Sequence, residues 1–236
     1  MRLNNGTPSY DRGKLTAIPV FAFVLIWNLI GTRQLLRYFF PLDALKILIY
    51  LNHLLSAAFL ALIIYLYWRR GPAIATTRSP FAKFIALFSF VLPFAIPFLG
   101  NVTRSTPVML AISNTVMAAG LAFALAALYT LGKSFSIVPQ TRNLIVQGPY
   151  RLVRHPIYLG EIILYTGMVL AGFSTPKVLV VLLLVFCQLY RANQEEKLLA
   201  ETFPEYLSYA SKTGRFFPSV PGLFWHRKSL PCHTCH

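Results

Sequence analysis

The apolar residues of this chain come in long blocks, several of them about 20 residues, the length that crosses a bilayer. Inside a bilayer the backbone must satisfy its own hydrogen bonds, so such blocks are helices. Six segments emerge. The first runs from about Thr16 to Leu36 and the second from about Leu42 to Trp68. The third covers about Phe81 to Leu99, where Pro93 and Pro97 predict a kink. The fourth covers about Val108 to Leu131, and its Ala118-Ala119-Gly120 and Ala126-Ala127 suit close helix packing. The fifth runs from Ile157 to about Phe173. Ser174-Thr175-Pro176 is a tight turn with Pro176 at a helix start, and the sixth helix runs from near Lys177 past the membrane to Ala200. The pattern predicts an all-α polytopic membrane protein with about six transmembrane helices. The last two apolar stretches, Ile157–Phe173 and Val178–Tyr190, have 17 and 13 residues. They are short of a full span, which predicts either a thin hairpin inside the other helices or a partial lining by protein.

Composition agrees. The chain is 56% hydrophobic and 12% charged, where a soluble domain carries about 25% charge. The net charge of +15 would suggest nucleic acid in a soluble protein. Here loop cations that set topology and touch anionic lipid account for it, so the expected partners are membrane lipids and no nucleic acid. With six spans, all of the 22 Lys and Arg except Arg33, Arg37, Lys46, Arg104 and Lys177 fall on one side. The positive-inside rule then puts both termini, and the polar segments described below, in the cytoplasm. The amino-terminal Arg2, Arg12 and Lys14 before an apolar run resemble a signal peptide, but no small-x-small cleavage pattern follows, so a retained first span is expected.

Two polar islands break the apolar pattern. The first is the hinge from Gly148 to Glu161, which packs Tyr150, Arg154, His155, Tyr158 and Glu161 into twelve residues. The second is Arg191-Ala192-Asn193-Gln194-Glu195-Glu196. Such groups beside a bilayer are costly unless they bind or catalyse, so the islands are expected to face each other in one site. Arg191 and Glu195 are i and i+4 on a continuing helix, with Glu196 roughly 100° round. They read either as a solvated ion pair or as a divided site. In the second case Arg191 holds an anionic substrate group and an acid holds a cofactor's hydroxyls or cationic end. Pro156 biases His155 away from helix and opens the fifth helix, leaving first-turn N–H groups for a ligand. His155 reads as a cap or hydrogen bonder. No second His, Cys or carboxylate stands at ligand spacing near it, so no metal is expected. Tyr150 and Tyr158 read as interfacial belt residues or as stacking platforms. Of the three cysteines, Cys187 reads as a packing residue. Cys232-His233-Thr234-Cys235-His236 matches the haem c attachment pattern, but its cytoplasmic assignment argues for a disordered end.

These residues resemble a family. Leu131-Gly132-Lys133-Ser134-Phe135-Ser136, the run Leu144 to Gly160 with Arg154-His155-Pro156-Ile157-Tyr158, Glu195-Glu196-Lys197-Leu198-Leu199, Phe203-Pro204-Glu205-Tyr206, Tyr209 and Arg215-Phe216-Phe217-Pro218 are similar to the isoprenylcysteine carboxyl methyltransferases and the wider membrane phospholipid-methyltransferase group. The resemblance covers about Leu131 to Pro218. It implies an integral membrane methyltransferase using S-adenosyl-L-methionine at a cytoplasmic site, and the chain indeed lacks a G-x-G-x-x-G fingerprint. It divides the chain into a four-helix region (1–130), a catalytic region (131–218) and a tail (219–236). By similarity the cofactor is held by Gln140, the Arg142, Asn143, Leu144 and Ile145 segment, Tyr150, Arg154, His155 to Tyr158 (through Pro156 and Ile157), and Glu195. Arg191, Glu195 and Glu196 are the implied catalytic residues, with Arg191 facing a substrate carboxylate. Arg142 stands where a histidine is common and Pro204 where a glycine is common. The implied acceptor is an isoprenylcysteine or similar lipid-like or prenylated carboxylate. A phospholipid N-methyltransferase is the alternative, and its ammonium substrate needs a base such as Glu196 or His155. A non-catalytic lipid-binding or transport protein is the reading of another class.

Overall fold

A computed structural model describes residues 12–38, 43–100 and 105–219. The tail Cys232–His236, Arg2 and Arg104 lie outside them. The described residues form seven α-helices: α1 Arg12–Tyr38, α2 Ala44–Arg69, α3 Pro80–Val91, α4 Pro107–Leu131, α5 Pro156–Leu170, α6 Thr175–Thr202 and α7 Tyr206–Lys212. Local chemistry sets the starts. Asp43, Ser79, Thr106 and Ser174 each accept a backbone N–H of the first turn, and all but the first are followed by Pro at the first or second helical position. The expected kink is present, since α3 gives way to a 3₁₀ segment, Leu92–Phe98, that carries Pro93 and Pro97.

Among the described residues, four helices are long and apolar enough to cross a membrane: α1 over Ala17–Leu36, α2, α4 with the turn after it, and α6. The apolar helices α3 and α5 are shorter, with 12 and 15 residues. Large apolar side chains such as Phe23, Trp27 and Phe186 cover the outside of α1 and α6. α5 does not form a simple hairpin with α6. It lies along α4, where Gly120 meets the backbone of Gly160 and Leu164, and Gly167 meets Met117 and the carbonyl of Ser113. Ser113 Oγ closes this seam by donating to Gly167 O at 2.9 Å. α2 packs on α1 and α4, while α3 packs on α6 through Phe81 and Tyr190, whose rings lie 5.4 Å apart. The core gathers Phe21, Tyr67, Leu128, Tyr150, Tyr158 and Ala192.

One end of the bundle is capped by loops. Two-residue strands β1 (Ala75–Thr76) and β2 (Gln140–Thr141) pair antiparallel, Ala75 with Thr141 and Thr76 with Gln140. Two glycines make the turns there possible. Gly132 (φ 56°) ends α4 and Gly148 (φ 54°) opens the hinge, both in a region that L side chains avoid. Their loops put residues 131–158 over the end of the bundle.

Candidate functional site

An open-mouthed pocket with about 850 Å³ between its walls, mouth included, lies at the capped end. Three chain segments bring the expected polar residues to it. Strand β2 and the loop after it contribute Gln140, Arg142, Asn143, Leu144 and Ile145. The hinge and the start of α5 contribute Tyr150, Arg154, His155, Ile157 and Tyr158. The end of α6 contributes Glu195. The two polar islands therefore meet, as the sequence suggests. Pro156 is buried beside them and starts α5 rather than facing the pocket.

The hinge is held by the chain beyond α6. Arg154 N donates to Gly214 O at 2.9 Å and His155 N to Arg215 O at 3.1 Å. Arg154 Nη1 donates to Ala210 O at 2.8 Å, and Tyr209 Oη donates to Tyr150 O at 2.6 Å. α7 is thus a clamp on the hinge, and Tyr206 and Tyr209 form part of the pocket wall with Leu198 and Leu199. The sequence pattern assigns these four residues no role. Their signal is the Phe203-Pro204-Glu205-Tyr206 run, but its position over the hinge depends on contacts about 60 residues apart. Burial, with the charge of Glu195 and then Tyr209, pushes the Tyr150 phenol well above its ordinary pKa, so it stays neutral. Burial likewise pushes Tyr209 up to about 12, against the charge of Arg154.

On α6 the buried residues Leu184, Cys187, Gln188, Arg191 and Ala192 make a stripe at helical spacing. Glu195 continues it into the pocket, where it accepts a short hydrogen bond from Tyr158 Oη, with His155 Nδ1 3.7 Å away. His155 stacks on Tyr158, the rings parallel and 5.5 Å apart. Arg191 and Glu195 share a face, yet no ion pair joins them among the described residues, which corrects the solvated-pair alternative. Tyr158 separates them: Arg191 lies 4.7 Å from its ring centre, on the side away from the pocket. There Arg191 donates to Ser89 Oγ (3.2 Å), Gln188 Oε1 (3.2 Å) and Ile137 O (3.0 Å), while its buried Nε has no partner. Gln188 in turn bonds Glu161 of α5.

Glu196 also departs from expectation, because it faces away from the pocket. His155 Nε2 lies 3.0 Å from its Oε1, Arg215 Nε donates to the same oxygen at 3.0 Å, and Arg215 Nη2 pairs with Oε2. Arg154 Nε is a further 3.0 Å ionic contact. A carboxylate held by three cationic or polar neighbours is a poor proton acceptor. It is placed instead to fix His155, Arg154 and the 215 segment against α6. No group of three His, Cys, Asp or Glu able to hold a metal exists among the described residues.

Comparison with known proteins points to the same region. The sequence model of the phospholipid methyltransferase family matches residues 108–206. The cobalt-zinc-cadmium resistance protein CzcN of Cupriavidus metallidurans is 36% identical over 98 residues, 40% of this chain and 41% of that protein. The nickel-cobalt-cadmium resistance protein NccN of Alcaligenes xylosoxydans xylosoxydans is 34% identical over 98 residues, 40% of this chain and 42% of that one. The chain thus spans about two fifths of the length of these curated relatives. Among solved structures, the eukaryotic intramembrane Ras methyltransferase ICMT (isoprenylcysteine carboxyl methyltransferase) matches 89% of this chain and 94% of its own, with a TM-score of 0.43 and 16% identity.

Proposed function

We propose that this chain is an integral membrane methyltransferase that uses S-adenosyl-L-methionine from the cytoplasm and methylates the carboxylate of an isoprenylcysteine or similar lipid-like acceptor. The observation that carries it is the single pocket formed by segments 140–145, 150–158 and Glu195, within a region that matches phospholipid methyltransferases.

The pocket fits the cofactor's chemistry. Tyr206 Oη is buried on the wall with no hydrogen-bond partner. The first turn of α5 begins at His155 with no side-chain cap, so the N–H groups of Ile157 and Tyr158 are available to an anionic or hydroxyl group. Glu195 supplies negative charge for the ribose hydroxyls or the cationic end, and Tyr158 orients it. When bound, S-adenosyl-L-methionine supplies a methyl group on a positively charged sulfur. Transfer of that methyl to an acceptor carboxylate would give an ester and a thioether and would need no proton removed, because the carboxylate is already ionised. Alignment of the reacting atoms therefore carries much of the rate. Among the described residues on the pocket wall Glu195 is the one carboxylate, and it already accepts from Tyr158. Glu196 is engaged elsewhere, which leaves His155, bonded to Glu196 through Nε2, as the one base named for an ammonium acceptor, whereas a carboxylate needs none. Arg191 acts in this scheme as a positioning residue behind Tyr158.

Calorimetry on the full chain in detergent tests the proposal. Wild type should bind S-adenosyl-L-methionine, Glu195→Ala should bind at least about tenfold more weakly, and wild type should methylate a prenylcysteine analogue. A well-folded wild type that does not bind the cofactor moves the lipid-binding or transport reading ahead.

A further inference from the structure

Glu161 is the one charged residue of α5, three residues past Tyr158, and it is not on the pocket wall. A carboxylate on an otherwise apolar helix of a membrane bundle is costly and needs a partner. Its partner is Gln188 of α6, whose Nε2 donates to Glu161 Oε2 in a short bond. Gln188 is 1% exposed, and its Oε1 accepts from Arg191 Nη1 at 3.2 Å. A carboxylate only accepts and a guanidinium only donates, so the amide between them has one orientation that satisfies both. Gln188 is thus an adaptor between an anion and a buried cation. Two acids act electrostatically on Arg191, Glu195 and Glu161. The ring of Tyr158 stands between Arg191 and Glu195, whereas the route to Glu161 is a continuous chain of hydrogen bonds.

Arg191 in turn supports the pocket from behind at two places. Its guanidinium lies 4.7 Å from the centre of the Tyr158 ring, and Tyr158 Oη donates to Glu195. Its Nη2 donates to Ile137 O at 3.0 Å, while the N–H of Ile137 donates to Tyr67 Oη at 3.0 Å. The Ile137 backbone is thereby pinned between α2 and α6, three residues before Gln140 of the pocket wall. We infer that Glu161 is a positioning residue of the pocket: through Gln188 it fixes Arg191, and Arg191 fixes both the segment from Ile137 to Thr141 and the Tyr158 ring that orients Glu195. Without the Glu161 carboxylate, the Gln188 amide is free to turn its NH2 group toward Arg191, where donor meets donor. The buried guanidinium is then also short of one counter-charge. The 137–141 segment loses its hold on α6, and the Tyr158 ring loses the cation beneath it. The effect of Glu161 on methyl transfer rests on the methyltransferase reading, whereas its coupling to residues 137–141 does not.

The test combines calorimetry with S-adenosyl-L-methionine and amide hydrogen exchange at Ile137, both on the full chain in nanodiscs. The variants are Glu161→Gln, Gln188→Glu and the two together. In the double variant the amide on α5 donates to the carboxylate on α6, which accepts from Arg191 directly, so one anion and one amide still complete the chain. Each single variant should bind the cofactor at least about tenfold more weakly and exchange the Ile137 N–H at least about tenfold faster, the size expected when a hydrogen bond to a charged group is lost. The double variant should recover both readouts to within about threefold of wild type, a non-additivity that identifies the pair as the cause. A merely structural loss at either position would not be repaired by changing a second buried residue. Should Glu161→Gln fail to fold, Gln188→Glu against the double variant reads the same coupling, because that single variant sets two carboxylates against each other. Wild-type affinity and exchange in Glu161→Gln, or a double variant no better than Gln188→Glu, overturns the inference. A wild type that binds no cofactor while exchange follows the expected pattern refutes the methyltransferase reading and keeps the Glu161 coupling. Cofactor binding that none of the variants alters refutes the coupling and keeps that reading.

Discussion

Gly160 offers the sharpest test of how the fold holds the site. A Cβ built there lies 2.6 Å from Gly120 O and 2.8 Å from both the backbone N and the Cβ of Ala124. Ordinary contact begins at 3.4 Å, and the obstructing atoms are backbone or the Cβ fixed to it, so α4 and α5 must part by about 0.8 Å in Gly160→Ala. Overpacking of this kind costs about 1–3 kcal/mol. At about 2–4 °C per kcal/mol for a chain of this size, the melting temperature should fall by several degrees. The same displacement moves the start of α5, two residues from Tyr158, relative to α6. The Tyr158–Glu195 hydrogen bond is charge-assisted, and loosening it removes about 1.5–3 kcal/mol of orientation. Affinity for S-adenosyl-L-methionine should therefore drop roughly ten- to hundredfold. Thermal unfolding in detergent and calorimetry read the two effects. Gly71→Ala is the control, because a Cβ there meets nothing within 4 Å. A Gly160→Ala protein that melts like wild type refutes the packing argument. One that melts lower but binds the cofactor unchanged refutes the coupling of the α4–α5 seam to the pocket.

The polar clusters lead to two more expected outcomes. Glu196→Gln removes the charge that Arg154 and Arg215 share, so stability should fall by about 2–3 kcal/mol in chemical denaturation; an effect under about 0.5 kcal/mol would mean the cluster is decorative. Tyr209 titrates near 12 in the fold and near 10 when unfolded, so between those pH values the unfolded state holds fewer protons and stability falls as pH rises. Alkaline unfolding should thus begin above about pH 10. Tyr209→Phe should be less stable than wild type at about pH 8, having lost the bond to Tyr150 O, and should show a shallower alkaline slope; an unchanged slope would assign the pH dependence to other groups.

The features legible in the sequence are local ones. Apolar block length placed most helix limits within a few residues, and the prolines placed the break in α3. Helical spacing put Arg191 and Glu195 on one face of α6, and the basic, aromatic hinge marked the segment that lines the pocket. Tertiary structure decided the partners. Nothing in an i, i+4 spacing reveals that Tyr158 of another helix will stand between Arg191 and Glu195, leaving one against α3 and the other in the pocket. Nor does local pattern show that Glu196 will be consumed by Arg154, His155 and Arg215, or that α7 will clamp the hinge. Helix formation depends on residues a turn apart, which the sequence displays directly. The site depends on which helix surfaces approach closely enough to touch, and here that is set by glycine contacts such as Gly120 against Gly160, forty residues apart, whose effect emerges only when the bundle is assembled.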